Sequence, residues 1–130
     1  MKGKVTGIGG IFFKSKDPKA MKDWYEKAFH LPMDQYGHMF IWRSNEAPDQ
    51  QCTTQWSPMA KDTDYYAPSE NEFMINYRVE HLDDLLLSLA KQGVKQVGSL
   101  EEYEYGRFAW VMDPEGRKIE LWEPKDEAFL

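Results

Sequence analysis

Two stretches of this chain spell the same signals in the same order, and that duplication constrains the fold more than any other feature. Tyr36-Gly37 opens one aromatic run and Tyr105-Gly106 opens another. Thr54-Gln55-Trp56-Ser57-Pro58 returns as Glu120-Leu121-Trp122-Glu123-Pro124. Upstream of each lies a strand-like segment and then a helical stripe. Self-similarity of this kind marks a repeated supersecondary unit whose copies pack on one another. The chain therefore reads as two similar modules.

In the first module, Val5 to Ser15 reads as a strand interrupted by Gly9-Gly10, where a strand usually bulges or lets a ligand or another backbone come close. Asp17 is a helix cap with Pro18 at the first helical position. Met21, Trp24, Tyr25 and Ala28 then fall at i, i+3, i+4 and i+7, the spacing of a buried stripe. The helix ends near Phe29-His30, with His30 as a terminus residue that tolerates left-handed backbone. Tyr36 to Trp42 and Gln51 to Ser57 are strands around a polar loop, and a short extra strand is possible near Met33.

Residues 60–72 have linker chemistry broken by Tyr65-Tyr66, which either anchor the linker or form a flap over a site. Phe73 to Val79 restarts the pattern as a strand, and Leu82, Leu85, Leu86 and Leu89 repeat the helical stripe. His81 sits at that helix's cap, and Gly93 is its stop. Asp113-Pro114-Glu115-Gly116 has the residue preferences of a type I turn and joins two antiparallel strands. In the second of these, Ile119 and Leu121 alternate with Lys118, Glu120 and Trp122, which sends a carboxylate and an indole to one face.

With 130 residues, seven Phe, seven Tyr and five Trp, the chain has the apolar content of a folded domain. The net charge of −6 comes without a run of Lys or Arg. That argues against nucleic acid or an anionic membrane as partner; it fits a neutral or cationic small molecule, and equally a solvated acidic surface that serves solubility alone. The single cysteine excludes an internal disulfide, and Cys52 reads as a buried small hydrophobe. No apolar run has the length to span a bilayer, and a cytoplasmic location is expected.

The closing stretch resembles the last hairpin of the glyoxalase/bleomycin-resistance/dioxygenase superfamily, the vicinal oxygen chelate fold, in its aspartate-proline turn, glycine and Ile119-Glu120-Leu121. The resemblance implies an α+β fold of two βαβββ modules forming an incomplete barrel, with a concave site and helices on the convex face. The modules would span about residues 4–59 and 73–124, within a single domain. It also implies a homodimer. In metal-dependent members of that superfamily the first and last strands of each module supply ligands. The matching positions here are Gly10, Met74 (or Asn76 if the register slips by two), Thr54 and Glu120. Only Glu120 is a competent ligand, and His30, His38 and His81 do not converge on it. No cofactor is expected, and a divalent metal would need a rearranged site around Glu120.

If Glu120 points inward, alternation brings Lys118 and Trp122 with it, and the repeat adds Cys52, Thr54 and Trp56. Phe108 and Trp110 follow across the turn, and Gly10, Phe12, Asn76 and Arg78 from the leading strands. Such an aromatic cup with few polar groups fits a small-molecule pocket. The same residues also fit a sheet core, with Glu120 paired to Arg78 or Lys118. Two functions compete. One is a metal-free binder of a small cationic or aromatic molecule, held by stacking and cation–π contacts. The other is a lyase or isomerase with Glu120 as general base and Asn76, Arg78 or Thr54 facing the developing oxyanion. A non-catalytic partner domain is a third reading.

Overall fold

A computed structural model describes residues 2–125. The elements follow in the order β1 (Lys4–Ser15), α1 (Pro18–Phe29), β2 (His38–Arg43), β3 (Gln51–Ala60), β4 (Phe73–Glu80), α2 (Leu82–Lys91), β5 (Glu101–Tyr103), β6 (Gly106–Met112) and β7 (Lys118–Pro124). Asp17 caps α1 through its side chain, which accepts from the Ala20 N–H at 3.0 Å. His30 ends that helix in the left-handed region, at φ 58°. His81 occupies the start of α2, but its side chain makes no cap; Glu123, more than forty positions away, accepts from the Leu82 N–H at 3.0 Å instead. The 113–116 turn closes with the Gly116 N–H on the Asp113 carbonyl at 3.1 Å. Backbone N–H groups of Arg117 and Glu115 hold the Asp113 carboxyl below the usual carboxylate range.

The seven strands form one mixed sheet in the order β2-β3-β1-β4-β7-β6-β5. Its centre is the antiparallel pair β1 and β4, the leading strands of the two modules. Each leading strand lies parallel to the last strand of its own module, β1 beside β3 and β4 beside β7. The sheet does not close, since β2 and β5 are its two edges. The second module is βαβββ; the first is βαββ, because the possible strand near Met33 does not form. The Asp34 carboxylate instead gathers the N–H groups of Tyr36 and Gly37 into a turn.

Alternation divides the sheet into two faces. On one, Val79, Leu82, Ala109, Val111 and Leu121 form a core completed by Leu85, Leu86 and Leu89 of α2. On the other, Tyr66, Met74 and Trp110 pack with Phe12 and Phe108. The stripe predicted on α1 is a correction. No residue of that helix is buried, and Trp24 is 56% exposed. Tyr25 alone docks an aromatic ring on the sheet, 4.6 Å from Trp56. The physical reason is that α1 lies over the module with one strand fewer, which offers less surface to cover. No helix among the described residues is long and apolar enough to cross a membrane.

The two helices should therefore respond differently to truncation. Leu82→Ala is expected to cost about 3 kcal/mol in urea unfolding. Trp24→Ala, which loses edge contacts with Tyr25 and Phe29, should cost about 1 kcal/mol. Equal losses would contradict the asymmetry.

Candidate functional site

The apolar face opposite the helices curves into a cup with a cavity of about 390 Å³. Its floor is set by strand pairing. Glu120 on β7 lies beside Asn76 on β4 and opposite Trp110 on β6. Glu120 is 3% exposed, and its carboxylate is held by three neutral donors. Asn76 Nδ2 donates to Oε1 at 2.6 Å, Trp110 Nε1 donates to Oε2 at 2.9 Å, and the Tyr65 hydroxyl also donates to Oε2. A buried anion is costly unless such bonds replace its water, and donors that favour the charged form do so. The salt bridge to Arg78 or Lys118 considered from the sequence is not the arrangement found.

Phe12, Asn76, Phe108, Glu120 and Trp122 line the cup as predicted by alternation. Phe108 stacks on Trp122 with ring centroids 5.9 Å apart and planes 8° apart. Trp110 faces the same way but is buried under Tyr65, with its N–H on the carboxylate. Arg78 also turns inward yet does not line the cup. Its guanidinium lies between the rings of Trp122 and Trp42, 5.2 and 5.6 Å away, and donates to the Thr53 carbonyl at 3.3 Å. Trp42 and Arg78 line a second cavity, of about 490 Å³, so this stack walls the two spaces apart.

Strand β3 corrects the reading. Thr53 and Gln55 face the cup, whereas Thr54 and Trp56 do not. The Thr54 hydroxyl accepts from Trp42 Nε1 at 2.7 Å and donates to the Ile8 carbonyl. Trp56 packs on Phe13 and Tyr25 beneath α1. Matching the hairpins on Gly37 and Gly106, at φ 136° and 139°, equates the pair Ile41 and Thr53 with the pair Trp110 and Glu120. The counterpart of Glu120 is thus Thr53, one residue from the position the repeated letters suggested. A slip of one residue moves a side chain to the other face of a sheet. Both glycines are required, because a Cβ there would collide with a carbonyl oxygen of the neighbouring strand, Trp56 or Glu123.

The structure also settles the first-strand positions. Asn76, not Met74, sits beside Glu120, and Met74 is buried in the core under Tyr66. A divalent ion would find one carboxylate, the Asn76 amide, the Thr53 hydroxyl and a glycine backbone at these four places. Among the described residues no group of three His, Cys, Asp or Glu side chains converges anywhere. This donor set does not fit Zn, Mn, Ni or Fe.

Sequence reasoning gave Tyr65 no more than a flap or linker role, and Tyr36, Met39 and Tyr105 were not placed on the cup's lining. Tyr66 is the anchor, fully buried, while its neighbour Tyr65 reaches Glu120. Lys118 fixes this arrangement, donating to the Tyr65 carbonyl at 2.7 Å with its ammonium over the rings of Tyr65 and Trp110. Burial lowers the Lys118 pKa from the ordinary lysine value. Burial first, and the Glu120 charge second, push both the Tyr65 and Tyr66 phenols well above the ordinary tyrosine value. The folded state then favours the neutral phenols, so their contribution to stability is complete below about pH 10 and falls as pH rises beyond it. In an absorbance titration, Tyr65 and Tyr66 should keep their protons until the fold opens, and Tyr65→Phe should lessen the alkaline loss of stability. Normal ionisation of all seven tyrosines in the folded protein would contradict this network.

No curated protein matches this sequence. Among solved structures the fold is similar to methylmalonyl-CoA epimerase from Mycobacterium tuberculosis, with a TM-score of 0.64, 18% identity, and 96% of this chain and 92% of that one covered. A Streptomyces coelicolor methylmalonyl-CoA epimerase in complex with 2-nitronate-propionyl-CoA gives a TM-score of 0.69 at 12% identity, covering 94% of this chain and 99% of that one. The Mn(II)-bound glyoxalase from Novosphingobium aromaticivorans gives 0.62 at 17% identity, covering 93% of this chain but 40% of the glyoxalase. These identities speak to shared fold alone. The sequence itself matches the Glyoxalase/Bleomycin resistance protein/Dioxygenase superfamily over residues 7–121, and the chain belongs to that superfamily.

Proposed function

We propose that this protein binds a small molecule with a cationic group and an apolar, planar body in the cup, without the divalent ion that some relatives use. One observation carries the reading. Glu120 brings a carboxylate to the floor of an aromatic cavity, its three hydrogen-bond partners are neutral, and the Lys118 ammonium sits over the rings of Tyr65 and Trp110 rather than on the carboxylate. A ligand cation pairs with that carboxylate directly, and the faces of Phe108 and Trp122 receive its apolar parts. The homodimer and the cytoplasmic location are also proposed. Trp24 and Phe29 on α1 offer a second copy an apolar face to cover.

The alternative, a lyase or isomerase with Glu120 as base, has less support from the geometry. Of its three candidate oxyanion partners, Asn76 spends its amide N–H on Glu120 itself. Arg78 lies behind Trp122, and Thr54 faces away from the cup.

Titration calorimetry with N,N-dimethylbenzylamine, cationic at pH 7, against the neutral N,N-dimethylbenzamide tests the proposal. The cation should bind at least about tenfold tighter, and Glu120→Gln should abolish that preference at a stability cost of about 2 kcal/mol. Equal binding of the two probes would contradict it. So would a stoichiometric divalent ion in the purified protein that is lost in Glu120→Ala.

A further inference from the structure

We infer that Tyr65 is a specificity-determining residue which leaves Glu120 a single open acceptor position, so that the ligand's head group is a protonated tertiary amine. This rests on the reading of the cup as a cation site and narrows the class of cation. An ionised carboxylate offers about four acceptor positions, two on each oxygen. Oε2 is filled by the Tyr65 hydroxyl and the Trp110 indole N–H, and Oε1 carries one bond, from Asn76. One position on Oε1 is left, and Glu120 lines the cup; the neighbouring Asn76 Oδ1, which has no partner among the described residues, is buried and turned against Gly9, away from a second N–H.

Head groups differ in what they ask of that carboxylate. An amidinium or guanidinium fork needs one position on each oxygen, and Oε2 has none to give. A quaternary ammonium has no N–H and leaves the position on Oε1 unused. A tertiary ammonium presents one N–H, and its alkyl groups lie against the Phe12, Phe108 and Trp122 rings. The rationing is specific to Tyr65, because Trp110 and Asn76 are fixed on sheet strands whereas Tyr65 comes from the 61–72 connection. Its place there is held by Lys118 on its carbonyl and by the neighbouring, fully buried Tyr66.

Three probes that share one phenyl ring separate the cases: N,N-dimethylbenzylamine, benzamidine and benzyltrimethylammonium. In the wild-type protein the tertiary amine should bind about tenfold or more tighter than either other cation, the worth of one hydrogen bond to a charged group. Tyr65→Phe frees a position on Oε2, so the affinity for benzamidine relative to that for the tertiary amine should rise about tenfold. A melting curve of Tyr65→Phe confirms that the fold persists, and the wild-type series stands without the variant. Benzamidine binding tightest in the wild type, or a benzamidine-to-tertiary-amine ratio unmoved by Tyr65→Phe, overturns the inference. Equal binding of the tertiary and quaternary amines overturns it as well. If none of the three outbinds neutral N,N-dimethylbenzamide, the cation site itself is refuted.

Discussion

The structure depends on how one carboxylate is kept out of water. Glu120 sits on an interior strand, 3% exposed, and its hydrogen bonds come from neutral side chains, with the Lys118 ammonium one ring away. Burying an anion costs several kcal/mol even after relaxation. That cost is offset by donors from three separate segments: β4, β6 and the connection between the modules. The parallel register of β4 and β7 puts Asn76 beside it, and the β6–β7 hairpin puts Trp110 across from it. Tyr65 closes the set from a segment with no regular structure to guide it. All three of these donors are neutral, and the Lys118 ammonium stands over the rings of Tyr65 and Trp110 rather than on the carboxylate.

Duplication supplies the frame, and divergence between the copies supplies the site. The module halves share the leading strand, the helix and the Tyr-Gly entry to a hairpin whose glycine has positive φ. Around that common frame the cup is lopsided. The second module brings Glu120, Trp122, Phe108, Tyr105 and Asn76, and the first brings Phe12, Tyr36, Thr53, Gln55, Met39 and the small Gly9. Gly9 leaves the room that Asn76 Oδ1 and the edge of Trp122 occupy, since a Cβ there would strike both. Both halves bring aromatic rings, but only the second brings the carboxylate and its indole and amide donors.

Much of this was legible in the letters because local rules and tertiary demand agree. The Asp113 turn, the Asp17 cap, the stripe on α2 and the inward direction of Glu120 all follow from short-range patterns that the fold then uses. The errors have physical causes. Thr54 and Trp56 were sent inward because Trp and Pro recur in both modules at one spacing. The loop at 44–50 is longer than the one at 113–117, however, and structural equivalence runs through Gly37 and Gly106 instead. In a strand an offset of one is a change of face. The α1 stripe has the right period but too little sheet to bury it. Tyr65 reads no better than a flap or an anchor because a connection without periodicity carries no information about where a side chain points, and tertiary contacts with Lys118, Tyr66, Glu120 and Trp110 fix it.

The most direct measurement is the electron density of crystals grown with a tertiary amine bound. The account places the ammonium nitrogen within hydrogen-bond distance of Glu120 Oε1, against the Trp122 face, with Tyr65 still on Oε2. Density showing Glu120 coordinated to a metal ion, or the amine seated away from Glu120 with the cup filled by water, would contradict it.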